Sequence, residues 1–454
     1  MHKISLIIFI GVISFFTSTV VAQKGTSSPY SVFGLGELNN GQYAYFMGMG
    51  NALTANTDST IVNQNNPASY AYISRNRPLF QVGLNGKFST FSEANKNDSK
   101  KSQFGLNQFQ LGLPIGKNMG AAVGLTPFSS TGYNIVNENI VGTDTISQLI
   151  SEGAGTVSKF HIGLAYKHKF SKTSLLSAGL NVNYLFGTSN KIESFEYVKY
   201  PDFSLHSRVE HKTRISSFTY DFGVVYEKYL KHSSYSVGFK YSPAINLTAH
   251  QDLLAYSYSI SYYNNYSYPG NIVDTTEIIN DNKGVIKMPE SYSVGFEYRL
   301  NGKDKSYMLK FSGDVKYQKW SDYYEEFGST KTENVFKDRT STSLGLQYSP
   351  HVGRNANNNL VSYVGKIHYR VGFNYTLSEL FINNTQLNDY GMSFGLGLPI
   401  TTGNSNTSIN LGVKYGSLGK TDLGLIKEKY LGVYVGFTIS PGVYDRWFLK
   451  RKYD

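Results

Sequence analysis

The chain contains no cysteine in 454 residues, which excludes disulfides, thiolate metal centres and a lipid anchor on an N-terminal cysteine. Tryptophan is nearly missing, with 2 residues beside 37 Tyr. Long hydrophobic runs are absent after the N-terminus, where no window reaches the roughly 18 continuous apolar residues of a membrane helix. No pair of His stands at metal-ligand spacing with a carboxylate partner: His206 and His211 share a polar stretch, and His161, His168 and His368 are scattered. No spacing of nucleophile and base marks a hydrolase. The sequence therefore predicts no enzyme, metal, cofactor or nucleic-acid function. Lys96, Lys100 and Lys101 read as a solvated loop tip.

What the chain does have is alternation. Leu431, Val433, Val435, Phe437 and Ile439 are apolar, and the positions between them hold only Gly, Tyr and Thr. The same rhythm runs through Tyr292, Val294, Phe296, Tyr298 and Leu300, and through Met392, Phe394, Leu396, Leu398 and Ile400. Side chains alternate across a strand, so one face is apolar and the other carries Gly, Ser, Asn and scattered charge. A soluble sandwich would put many Lys and Glu on that second face. Repeated along the chain, the pattern predicts an all-β fold: a transmembrane antiparallel β-barrel, apolar outside and wet inside. The mean hydropathy of -0.29 agrees, because a barrel hides its hydrophobicity in alternation, and abundant Tyr suits the headgroup belts.

Lys3 precedes an apolar run from Ile4 to Phe16, and Val20-Val21-Ala22 offers small residues for a signal peptidase. Residues 1–22 are thus expected to be a signal peptide. Fourteen strand-like runs follow, from 78–91 to 429–440, and an even number suits a bacterial barrel. The joints 116–118, 170–173 and 230–232 are short, while 191–211, 249–286 and 321–337 are long and polar. Bacterial barrels place short turns in the periplasm and long loops outside. The expected layout is an N-terminal plug over 23–77, a barrel over 78–440 and a periplasmic tail over 441–454, in the outer membrane of a Gram-negative bacterium.

Three stretches give the chain a family likeness. They are Met47-Gly48-Met49-Gly50-Asn51-Ala52, then Asp58-Ser59-Thr60, then Asn66-Pro67-Ala68. In this order they resemble the N-terminal hatch of the outer-membrane long-chain fatty acid transporter family, and Pro289-Glu290-Ser291-Tyr292, Asp314-Val315-Lys316-Tyr317 and Trp320-Ser321 are further matches to that family. The resemblance implies about 14 strands plugged by the hatch, passing hydrophobic molecules sideways through a gap in the wall. Some relatives instead serve as non-transporting subunits of secretion machines. Proline bars the helical region to its predecessor, so Asn66 is expected to be extended at a chain corner.

By strand parity the interior carries Lys240, Glu297, Arg299, Lys310, Asp314, Lys316, Lys366, His368, Arg370 and Lys414. Charges inside a barrel commonly brace it. Bases outnumber acids in this set, which points to an anionic group on an apolar tail, with Lys366, Arg370 and Lys414 as its candidate ligands. The C-terminal tail joins bases to aromatics at Arg446, Trp447 and Phe448. It reads either as an interfacial anchor on membrane lipid or as a docking peptide for a protein partner. The expected function is a channel for hydrophobic or amphipathic, fatty-acid-like small molecules. The alternative is a β-barrel subunit of an outer-membrane secretion or assembly complex.

Overall fold

The computed structural model describes residues 25–39, 43–142, 144–198, 204–263, 266–302, 306–350, 363–400 and 407–440. The expected signal peptide and the tail with Arg446, Trp447 and Phe448 lie outside them. In chain order the strands are β1 (Glu37–Leu38), β2 (Leu79–Ser92), β3 (Ser99–Ile115), β4 (Met119–Val141), β5 (Asp144–Lys169), β6 (Ser174–Tyr197), β7 (His206–Tyr229) and β8 (Ser233–Ser242). Then come β9 (Ile245–Tyr263), β10 (Tyr266–Met288), β11 (Ser291–Asn301), β12 (Tyr307–Gln318), β13 (Tyr324–Phe327) and β14 (Thr330–Glu333). The last five are β15 (Arg339–Pro350), β16 (His368–Ile382), β17 (Thr385–Pro399), β18 (Ser408–Leu418) and β19 (Lys427–Ile439). Fourteen of them, β2–β8, β11, β12 and β15–β19, form one antiparallel wall that closes where β19 pairs with β2. No described helix is long and apolar enough to cross a membrane.

The outward face explains why the wall sits in lipid. Val294 and Phe296 of β11, Val371 and Phe373 of β16, and Met392 and Phe394 of β17 are exposed. Tyrosines end several of the apolar stretches. At the outer rim Tyr241, Tyr292 and Tyr317 lie on successive strands in direct register, and Tyr375 faces Tyr390. At the inner rim Tyr235 faces Tyr298, and Tyr348 faces Tyr369. Tyr292 and Tyr298 are six residues apart, about 20 Å along the strand, which matches an apolar band flanked by aromatic girdles. Phe296→Arg or Val433→Arg is therefore expected to cost about 2–4 kcal/mol, read as the urea midpoint of the barrel refolded in phospholipid vesicles. Lumen-facing Ser341→Arg should act only sterically. Equal losses on both faces would overturn the parity.

The three stretches expected as long loops carry strands: β6 and β7 run into 191–211, β9 and β10 into 249–286, and β13 and β14 lie within 321–337. β4–β7 run to 23–26 residues, against 10–15 for the other wall strands except β3, so they continue outside the membrane over the supposed loop 191–211. There β7 pairs with the hairpin β9–β10, which occupies 249–286. The base of this outer sheet packs Ile215, Leu247, Ala249 and Ile286 into one apolar cluster, and beyond that base its ties are polar. Arg214 bridges Asp252 and Asp281 at 2.6 and 3.0 Å, and the His250 hydrogen bond holds the Asp281 carboxyl below its usual range. Around Arg208, Arg214 and Asp281, where no face is fully buried, apolar alternation has no cause. Gly155 and Gly187, with φ of 151° and 153°, face each other's strands where the wall passes into this sheet. Residue 366 also differs from expectation: Lys366 lies in a half-exposed turn before β16 rather than on a strand, its N–H donating to the Tyr363 carbonyl.

Candidate functional site

The lumen face is glycine at one level. Gly345 faces Gly372, Gly395 faces Gly412, Gly238 faces Gly295, and Gly179 faces Gly223. N-terminal backbone rests on these positions. A Cβ at Gly372 would strike Gly50, at Gly345 Met49, at Gly238 Thr54, and at Gly412 it would stand 3.0 Å from the Ala44 carbonyl oxygen. The short helix Ala44–Gly48 and the 3-10 turn Pro67–Tyr72 are buried throughout. Only a wall without side chains admits backbone this close.

Asn66 is extended, at φ -131° and ψ 106°, as the following proline requires. Its side chain accepts from the Ala68 N–H at 3.1 Å, capping the turn, and donates to the Thr54 carbonyl at 2.6 Å. Beneath the glycine level, on the periplasmic side, Lys310 Nζ reaches Tyr45 Oη at 3.0 Å, Asp58 at 3.4 Å and Glu297 at 3.6 Å. Arg299 also pairs with Glu297 at 3.0 Å. Segment and wall thus share one buried charge network.

The three candidate anion ligands do not converge. Arg370 lies on the periplasmic side of the helix Ala44–Gly48, bonded to Gln347 at 2.8 Å and Asn410 at 3.0 Å, with its guanidinium 4.2 Å from the Tyr45 ring centre. Lys414 lies on the outer side, 3.7 Å from Asp389. Lys366 is at the periplasmic turn. Strand parity gives the face of a residue but not its height, and the intervening helix was invisible to parity. His368 bonds Ser349 at 2.7 Å.

Outside the glycine level is a chamber of about 370 Å³. It is lined by Lys159, Asp221, Lys240, Asp314, Lys316 and Lys414 and by apolar Phe128, Leu185 and Met288. Sequence reading missed Lys159 and Asp221, although both stand on the inward parity of regular alternations, Phe160, Ile162 and Leu164 on β5 and Phe218, Tyr220 and Phe222 on β7. The chamber is bounded outward by an apolar cap in which Tyr30 and Leu35 pack with Leu185, Ile215, Trp320, Phe336 and Leu380.

The wall beside the chamber is split. β3 pairs with β4 only over Phe109–Ile115, and its outer half, Ser99–Gln108, bonds β2 alone. The split begins at a bulge, where Gly83 faces Gln108 and Leu84 faces Leu106. The N-terminal segment fills the interval. β1 pairs Glu37 with Ser130 and Leu38 with Ser129 on the free edge of β4. Toward the other side Glu37 bonds Lys87 at 2.8 Å, and Ser27 reaches Gln103 at 3.5 Å.

The family model BamG matches residues 1–454. The chain belongs to the BamG family. Its fold is similar to that of solved outer-membrane channels. A Pseudomonas aeruginosa FadL homologue aligns at TM-score 0.52 and 12% identity over 88% of this chain and 98% of that one. The Ralstonia pickettii toluene transporter TbuX aligns at 0.54 and 13% over 88% and 98%, and the CymD monoaromatic hydrocarbon channel at 0.52 and 16% over 89% and 98%. No curated protein matches the sequence. This BamG-family chain thus shares the fold of the FadL-like barrels, and its closed wall with an apolar belt is that of a Gram-negative outer-membrane protein.

Proposed function

We propose that the protein passes hydrophobic or amphipathic small molecules across the outer membrane, with residues 23–77 as its plug and the β3–β4 seam as the exit to lipid. The split seam carries this reading. Among the described residues it is the one interval in the wall where the N-terminal segment takes the place of pairing between neighbouring wall strands, and it adjoins a chamber with both charged and apolar lining. Likeness in fold to proteins titled toluene transporter and monoaromatic hydrocarbon channel supports it. A fatty acid fits a chamber of that mixed character.

A second reading, a structural subunit of an outer-membrane assembly, is favoured by the double seal of glycine-seated plug and apolar cap. It would use the tall outer sheet, or the tail at Arg446, Trp447 and Phe448, as its contact.

The absence of native cysteine makes a clean test possible. In Ser27→Cys/Gln103→Cys, a short bis-methanethiosulfonate bridge would pin the segment across the seam. Uptake of labelled dodecanoate by intact cells is expected to fall to the empty-vector level and to return with reductant. Uptake indifferent to the bridge would remove the seam as the exit. An unbridged protein that never raises uptake above the empty vector would reject the channel and leave the structural reading.

A further inference from the structure

The cations of the outer chamber are unevenly balanced. Lys87 lies 2.8 Å from both Glu37 and Glu428, Arg339 3.2 Å from Glu379, and Lys414 3.7 Å from Asp389. The remaining three, Lys159, Lys240 and Lys316, share the field of Asp221. Lys240 and Lys316 both face Ser293, one from each side, so they stand at one height on alternate strands. Asp221 pairs with Lys240 at 3.1 Å and accepts from Asn183 at 3.0 Å. The neighbouring Asp314 is engaged elsewhere, accepting the Leu53 and Thr54 N–H groups of the plug at 2.6 and 2.7 Å. Lys159 and Lys316 therefore make no ion pair among the described residues, although both line the chamber.

Two ammonium groups without carboxylates, facing one chamber beneath an apolar cap, are unfavourable unless an anion joins them. The excess over Asp221 is two charges. Phe128, Leu185 and Met288 line the same space and give an apolar surface beside the cations. We propose that the chamber binds a phosphate monoester carried on an apolar chain, with Lys159 and Lys316 as the ligands of the dianionic head. Lys240 is held back by Asp221 and supplies field rather than contact. The inference rests on the passage reading and narrows its substrate class to anionic amphipaths with a doubly charged head.

The test is titration calorimetry on the purified full-length protein in a neutral detergent, with dodecyl phosphate, dodecanol and inorganic phosphate as separate probes. Dodecyl phosphate is expected to bind saturably and far more tightly than dodecanol. Lys159→Gln/Lys316→Gln should weaken it roughly a hundred-fold, because two charge-assisted hydrogen bonds are lost. Lys159→Arg/Lys316→Arg keeps the charge and should stay within about ten-fold of wild type. Heat-modifiable gel mobility reports that each variant is folded. Dodecyl phosphate bound no tighter than dodecanol, or unaffected by the Gln pair, would overturn the site. Inorganic phosphate bound as tightly as the dodecyl ester, with the same loss in the Gln pair, would assign the lysines to free phosphate and overturn the amphipath. Binding is read without transport, so a protein that binds dodecyl phosphate but passes nothing through the seam keeps the site and loses the channel.

Discussion

Lys310→Met should destabilise the folded barrel by about 3–5 kcal/mol, the range for removing one partner of a buried ion pair. Lys310 is 1% exposed and faces Glu297 from the wall and Asp58 from the N-terminal segment. Its loss leaves two carboxylates in a water-poor interior with Arg299 alone to offset them. Replacing acid and base together, in Lys310→Met/Glu297→Gln, should recover part of the loss, because the surviving charge imbalance is smaller. Thermal unfolding in micelles, followed by the gel shift between folded and denatured barrel, gives both numbers. A loss below about 1 kcal/mol, the level of an exposed pair, would mean that the network is wetter than its geometry shows.

Gly372→Leu is expected to leave the wall intact and dislodge the N-terminal segment. Its Cβ would lie 2.6 Å from the Met49 carbonyl carbon and overlap the Gly50 nitrogen. Gly50 has φ of +63° and is backbone on backbone against the wall, so no side-chain rotation relieves the clash. The strand pairing of β16 does not depend on that side chain. Gly345→Leu, one strand away and facing the same backbone, should behave alike. Gly313→Leu is the control: this glycine points outward, and its Cβ would meet Leu344 at 3.4 Å and the Ser343 carbonyl oxygen at 3.9 Å, both ordinary contacts. Proteolysis of the N-terminal segment in folded protein should rise on the order of ten-fold or more in the two lumen variants, equivalent to about 1.4 kcal/mol of opening. No rise would mean that the segment is not seated on the glycines.

The wall was legible because lipid imposes a period of two on every spanning strand. The tyrosines Tyr292 and Tyr298 that bracket Val294 and Phe296 on β11 were legible for the same reason. The outer part of the extramembrane sheet was not, because its charged residues pair with one another instead of alternating with apolar ones, Arg208 with Glu210 along β7 and Arg214 with Asp252 across to β9. Lumen glycines such as Gly238 and Gly372 were visible as residues on the wet face but not as a level, because register is set by pairs far apart in sequence. The same limit scattered the proposed anion site: Arg370 and Lys414 share a face but lie on opposite sides of the helix Ala44–Gly48. Lys159 and Asp221 came together only through the barrel's curvature. The Asn66-Pro67-Ala68 corner, by contrast, followed from proline chemistry alone.

The most direct test of a barrel closed by its own N-terminal segment is conductance in planar lipid bilayers at neutral pH. Wild-type protein is expected to insert without steady ion current, and Gly372→Leu under the same conditions is expected to show discrete conducting steps. Steady ohmic current through the wild type, unchanged by Gly372→Leu, would contradict a lumen sealed on the glycine level.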